Sequence, residues 1–200
     1  MSKIGIMGGT FDPVHTGHLL AAEKAREQCG LQEVWFIPSY MPPLKANEPG
    51  VSSEHRYGMV EAAVATNDAF RVLDIELKRG GISYSYDTVS ELIKRYPGRS
   101  FAYIIGSDRI NDLCKWHRIE ELAELVTFIG LERPAEPAQP GQLPSFLKQR
   151  LTIVEMPPIG ISSTDIRNRL TAGHSVQYMV PDTVLEYIRR YGLYESRADD

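Results

Sequence analysis

The chain is poor in the residues that staple or ligate. Its 200 residues include only two cysteines, Cys29 and Cys114. They form neither a disulfide framework nor a thiolate metal spacing, and such sparse use suits a reducing compartment. Positive charge is not in excess either: 22 Lys and Arg stand against 26 Asp and Glu, for a net charge of −4. That argues against a broad nucleic-acid face, which needs clustered cations. It leaves room for a small anionic ligand, because a few local cations can dominate a cleft. No apolar run is long enough to span a bilayer, and the start of the chain lacks the basic, apolar and small-residue succession of an export signal. A soluble cytoplasmic protein with no membrane partner is expected. Three familiar motifs are missing as well: the dinucleotide fingerprint G-x-G-x-x-G, the Walker loop G-x-x-x-x-G-K-[ST] and the zinc-protease pair H-E-x-x-H.

What is present is an ordinary globular balance, 42% hydrophobic and 24% charged, enough for one domain with a real core. Apolar runs alternate with helical patterns, the signature of an α/β fold with a mostly parallel sheet. Strands are expected at Lys3–Met7, Val34–Pro38, Arg71–Leu77, Phe101–Ile105, Val126–Leu131 and Leu151–Met156. Helices are expected at Gly17–Cys29, Ser53–Thr66, Tyr86–Arg95, Ile119–Leu125, Ser163–Leu170 and Pro181–Tyr191. Val89, Leu92, Ile93 and Tyr96 form one apolar stripe, and Val184, Tyr187, Ile188 and Tyr191 another. Proline-rich loops are expected at Ser39–Gly50 and Arg133–Pro144. Arg26, Arg56, Arg189 and Arg190 read as solvated helix faces, and His55, His117 and His174 as surface or packing residues. No repeat or linker divides the chain, so residues 1–200 form one domain whose C-terminal part, from about residue 160, is helical.

The densest signal is Gly8-Gly9-Thr10-Phe11-Asp12-Pro13-Val14-His15-Thr16-Gly17-His18. An apolar strand enters it and a helix leaves it. Glycines allow close backbone approach, and a helix start offers unpaired N–H groups and partial positive charge to an anion. His15 and His18 add donors. A tight turn capped by Asp12 is the bland alternative, and a metal pair is another, although no third ligand accompanies it. Downstream, Ile161-Ser162-Ser163-Thr164-Asp165-Ile166-Arg167 combines hydroxyls at a helix start with an arginine. It reads either as a second anion cradle or as an ordinary cap with a surface arginine.

Gly8–His18 resembles the signature of the HxGH nucleotidyltransferase superfamily, here His15-Thr16-Gly17-His18, and Ile161–Arg167 resembles its I-S-[ST]-T-x-x-R element. Five further segments are similar, in order and spacing, to the bacterial nicotinate mononucleotide adenylyltransferases. These are Ser83–Thr88, Ile104–Asp108, Trp116, Pro42-Pro43-Leu44-Lys45 and the closing stretch from Pro181-Asp182 to Gly192-Leu193-Tyr194. The resemblance covers nearly the whole chain. It implies a doubly wound, Rossmann-like nucleotidyltransferase fold. The implied reaction is transfer of AMP from ATP to nicotinate mononucleotide, yielding nicotinate adenine dinucleotide and pyrophosphate, in NAD biosynthesis.

The resemblance also implies roles. His15 and His18 act on the triphosphate, with Gly8, Gly9, Thr10 and Phe11 supplying the turn and Lys45 nearby. Ile161, Ser162, Ser163, Thr164 and Arg167 hold the outer phosphates, while Gly106 and Asp108 meet ribose hydroxyls. Ser83, Tyr84 and Ser85 receive the nicotinate carboxylate on backbone N–H groups, and Trp116 stacks on the pyridine ring. Mg²⁺ is expected with ATP, held by phosphate oxygens and water rather than by protein side chains. A homodimer is left open. Three departures stand out: Leu44 where the family usually has His, Ser85 where it usually has Thr, and Ala135 where Gly often follows Arg-Pro. Other readings also remain: nicotinamide mononucleotide as acceptor, a non-catalytic nucleotide-binding module, a metal-dependent phosphohydrolase and, further off, a pantetheine-phosphate enzyme.

Overall fold

Alternation along the first strands decides the architecture. Ile4 and Ile6 belong to one core and Met7 to the other; Trp35 and Ile37 likewise oppose Val34 and Phe36. All of them are buried. A strand apolar on both faces must be covered on both, as a parallel sheet with helices on either side provides. The computed structural model, which describes residues 2–43, 48–132 and 140–195, has that form. Its strands are β1 (Lys3–Gly9), β2 (Glu33–Pro38), β3 (Phe70–Val72), β4 (Ser100–Gly106), β5 (Thr127–Glu132) and β6 (Leu151–Glu155). They lie in the order β3-β2-β1-β4-β5-β6, and every pairing is parallel. This is the single doubly wound, Rossmann-like domain the sequence leads one to expect.

Nine helices are described: α1 (Thr16–Cys29), α2 (Ser53–Val64), α3 (Ile75–Arg79), α4 (Ser85–Arg95), α5 (Ser107–Asn111), α6 (Ile119–Leu125), α7 (Ser145–Lys148), α8 (Ser163–Thr171) and α9 (Asp182–Tyr191). One core gathers Ala22 of α1, Val60 of α2, Ile166 of α8 and Val184 of α9 against one sheet face. The other gathers Leu92 of α4, Ile110 of α5, Leu122 of α6 and Leu147 of α7. Left-handed glycines close α1 at Gly30 and α9 at Gly192, as C-terminal caps do. Among the described residues, no helix is long and apolar enough to cross a membrane.

The expected strand Arg71–Leu77 is corrected. Only Phe70–Val72 pairs, at the sheet edge, and Ile75–Arg79 turns into a helix. Its apolar alternation resembles a strand, but Asp74 takes the N-cap position and Gly80 closes the turn onto the Glu76 carbonyl. The helix expected over Ser53–Thr66 ends at Val64. In the second proline-rich loop, Pro140–Gln142 forms a short 3₁₀ turn, while residues 133–139, Ala135 among them, lie outside the described residues.

The chain leaves β1 toward β2 and returns beside it as β4. This reversal puts the carboxyl ends of β1 and β4, Gly9 and Gly106, side by side, the place where open parallel sheets bind ligands. Packing around these strands is tight. A Cβ at Gly5 would sit 2.7 Å from Leu31 Cδ1 and 2.8 Å from Ile104 Cδ1. Gly5→Ala should therefore destabilise the domain by about 1–3 kcal/mol through overpacking, visible as a lowered thermal midpoint. An unchanged midpoint would show that the core has slack there.

Candidate active site

Six residues, Thr10 to His15, separate β1 from α1. The reversal is tight. A Cβ at Gly8 would fall 2.5 Å from Tyr103 Oη, so only glycine lets that hydroxyl pack on the strand. Phe11 adopts φ 51° although it carries a large side chain. This conformation costs on the order of 1–3 kcal/mol and is held by burial, with its ring 5.8 Å from Phe36 and edge-on to His18 at 5.2 Å. His15, not Asp12, is the N-cap residue of α1. Its N–H donates to His18 Nδ1 at 3.3 Å, so a neutral His18 carries its proton on Nε2. The two imidazoles stack with centroids 3.7 Å apart, side by side in the cleft wall.

The downstream motif meets this turn from 150 residues away. Ser163 donates its hydroxyl to the Pro13 carbonyl at 2.9 Å. Arg167 Nη1 donates to the Asp12 carbonyl at 2.7 Å and lies 3.6 Å from the Asp12 carboxylate. Ser162 caps α8, accepting from the Asp165 N–H at 3.1 Å. The segment is thus a helix cap and a wall of the cleft together. Asp12, only 5% exposed, also accepts from the Gly50 N–H at 2.8 Å and from the Tyr194 hydroxyl at 2.7 Å.

Arg56 requires a correction. It is buried, not solvated, at 1% exposure, and its Nη1 donates to the Thr10 carbonyl at 2.8 Å. Burial pulls its pKa down, and the nearby Asp12 carboxylate opposes that shift. The signal lay in spacing: residues 56, 59, 60 and 63 follow i, i+3, i+4, i+7, and Met59, Val60 and Ala63 are buried. Arg189 and Arg190 are exposed as expected, and His55 packs against Tyr187 and Tyr191.

A cleft of about 1140 Å³ runs from this turn to the start of α4. It is lined by every residue nominated from the sequence except Ser162, whose hydroxyl serves the cap, and Lys45, which with Leu44 lies outside the described residues. At the far end Trp116 stands edge-on to Tyr103 at 5.5 Å. The backbone there differs from expectation. The Ser83 N–H donates to the Met41 carbonyl at 2.8 Å and the Tyr84 N–H to the Ile82 carbonyl at 3.1 Å. Tyr84 is the N-cap of α4, and no side chain caps that helix. The donors at this end are therefore those of the first turn beginning at Ser85. Asp108 is exposed, pairs with Arg109 at 3.5 Å, and leaves the N-cap position of α5 to Gly106.

Sequence reasoning missed two residues of this end. His117 lines the cleft and lies over the Tyr84 ring at 4.3 Å. Glu76, 3% exposed, also lines it and accepts from the Thr88 hydroxyl at 2.6 Å. Arg79 Nη2 donates to that same hydroxyl oxygen at 2.8 Å. Burial holds the Glu76 pKa above its ordinary 4.5, against the lowering pull of Thr88, Ser83 and Arg79. Its only sequence signal was a lone acid between Ile75 and Leu77. Among the described residues, no three His, Cys, Asp or Glu side chains are grouped to hold a metal.

The cytidylyltransferase-like family matches residues 6–169 of this chain. A relative in Bacillus subtilis named nicotinate-nucleotide adenylyltransferase is 43% identical over 196 residues, 98% of this chain and 100% of the relative. One in Oceanobacillus iheyensis, named "probable nicotinate-nucleotide adenylyltransferase", is 45% identical over 194 residues, 97% of each. The fold is also that of a Plasmodium falciparum nicotinic acid mononucleotide adenylyltransferase solved with NaAD, at TM-score 0.80 and 22% identity across the whole of both chains.

Glu76 makes the pH dependence of stability testable. A carboxyl with a raised folded pKa is stabilising below its unfolded pKa and loses that contribution as pH rises through its folded one. In urea denaturation, Glu76→Gln should gain stability relative to the wild type as pH climbs above the ordinary 4.5. Parallel stability curves across that window would contradict the assignment.

Proposed function

We propose that this chain, which belongs to the nicotinate-nucleotide adenylyltransferases within the cytidylyltransferase-like family, transfers AMP from ATP to nicotinate mononucleotide. The products are nicotinate adenine dinucleotide and pyrophosphate. The observation that carries this reading is the meeting of the His15–His18 turn with Ser163 and Arg167 at one end of a cleft whose other end holds Trp116 and an uncapped helix start. Such a cleft suits a triphosphate at one end and an anionic aromatic ring at the other.

A phosphate oxygen of the mononucleotide attacks the α-phosphorus of ATP, a new P–O bond forms, and the bond to the bridging oxygen of the β-phosphate breaks. The nucleophile is already an anion, so no base is needed and catalysis reduces to alignment and charge stabilisation. In this reading His18, through Nε2–H, and His15 stabilise charge developing on the α-phosphoryl oxygens. Backbone N–H groups from Gly9 to Phe11 and the start of α1 add fixed dipoles. Arg167 neutralises the departing pyrophosphate, the Thr164 hydroxyl donates to it, and Lys45 is assigned to the same phosphates. Ser163 serves differently: its hydroxyl holds α8 against the Pro13 carbonyl.

At the other end Trp116 covers the pyridine ring. The first turn of α4 receives the carboxylate, which only accepts, where an amide would set its own donors against donors. Gly106 and Asp108, which line the same cleft, are suited to ribose hydroxyls. Mg²⁺ is the companion expected with ATP; bound there, it would be held chiefly by phosphate oxygens and water and would screen the phosphate charge.

The test is direct. With ATP, Mg²⁺ and nicotinate mononucleotide, the protein should release pyrophosphate and form the dinucleotide faster than with nicotinamide mononucleotide. His18→Ala should lower turnover by about a hundredfold to a thousandfold, the typical loss of one preorganised donor. ATP hydrolysis without an acceptor, or near-normal turnover of the variant, would contradict the reading.

A further inference from the structure

Arg167 does not set its own direction. We infer that Tyr194 acts through Asp12 as a positioning residue for Arg167, holding its guanidinium toward the triphosphate. This rests on the reading of Arg167 as a phosphate-binding group.

Both carboxylate oxygens of Asp12 are committed. Oδ1 accepts from the Tyr194 hydroxyl at 2.7 Å. Oδ2 accepts from the Gly50 N–H at 2.8 Å and faces Arg167 Nη1 at 3.6 Å. That same Nη1 donates to the Asp12 carbonyl at 2.7 Å. One buried residue therefore holds the guanidinium by backbone and side chain together.

Tyr194 is itself anchored to the helix that carries Arg167. Its carbonyl accepts from the Thr171 hydroxyl at 3.1 Å, at the end of α8. The preceding Leu193 is buried, and its N–H donates to the Ile188 carbonyl at 3.0 Å. The tyrosine thus runs from the end of α8 back to the first turn. Burial, with Asp12 beside it, holds the phenol pKa far above its ordinary value, so the hydroxyl remains a donor.

The consequence follows from which cation can move. Two arginines face the buried Asp12 charge. Arg56 is 1% exposed and fixed on the Thr10 carbonyl. The Arg167 side chain is 32% exposed, and beyond the Asp12 carbonyl its other arm makes a longer bond to Thr164 Oγ1 at 3.4 Å, which leaves it more room to turn than Arg56. Without the Tyr194 donor, Oδ1 has an unmet acceptor, and a buried charge so exposed draws in the nearest mobile cation. Arg167 would turn further onto Asp12 and away from the ligand.

Tyr194→Phe removes one hydroxyl and keeps the ring. The full-length variant is titrated calorimetrically with a non-hydrolysable ATP analogue plus Mg²⁺ and, separately, with nicotinate mononucleotide. Analogue binding should weaken by about tenfold, the scale of one hydrogen bond to a charged group, while mononucleotide binding stays unchanged. In an Arg167→Ala background, Tyr194→Phe should have no further effect on the analogue, since the two act as one unit. Equal losses for both ligands, the same loss in the Arg167→Ala background, or no loss would each overturn the positioning role. If Arg167→Ala alone leaves analogue affinity untouched, the phosphate-binding reading fails, and the positioning role fails with it.

Discussion

The arrangement of the cleft depends on the buried charge of Asp12. Taking a carboxylate out of water is costly unless it is paired and hydrogen-bonded. Here it is supplied from the loop at Gly50, from α8 through Arg167 and from the closing segment through Tyr194, with Arg56 of α2 close behind. These suppliers are far apart in sequence, and one buried anion brings them together. The turn that carries His15 and His18 is therefore a junction fixed from several directions, which explains how Phe11 persists at a positive φ.

Rigidity of this kind suits the chemistry. When the attacking group is already charged, a protein can contribute little to bond-making beyond placing donors where charge will develop and holding them still. Stacked imidazoles, a hydrogen bond that fixes the His18 tautomer and an arginine held through a main-chain carbonyl are all positional devices. The opposite end of the cleft is built on the same logic. Glu76 accepts from Thr88, Arg79 donates to Thr88, and this set, buried at Glu76 and Thr88, joins α3 to α4 beneath the first turn of α4.

Much of this was legible in the chain. Apolar strands alternating with helical stripes specified an α/β fold with a mostly parallel sheet, the family resemblance implied its doubly wound order, and a long glycine–histidine motif marked one end of the cleft. What was not legible depended on long-range contacts. Ile75–Arg79 alternates like a strand, but with Asp74 at the N-cap position and Gly80 closing onto the Glu76 carbonyl it coils into a helix. Arg56 looked solvated because arginine usually is, although its spacing placed it on the apolar face of α2. Ser83 and Tyr84 carry backbone donors that Met41 and Ile82 already occupy, a pairing no local pattern announces. Glu76 and His117 sit in short segments whose role emerges only when α3, α4 and the turn before α6 come together.

The central claim is that two motifs 150 residues apart grip one triphosphate. A crystal structure with Mg²⁺ and a non-hydrolysable ATP analogue tests it most directly. The account predicts His18 Nε2 beside the α-phosphate and Arg167 against the outer phosphates of that same molecule. A triphosphate held by only one of them, or an adenine ring seated on Trp116, would contradict it.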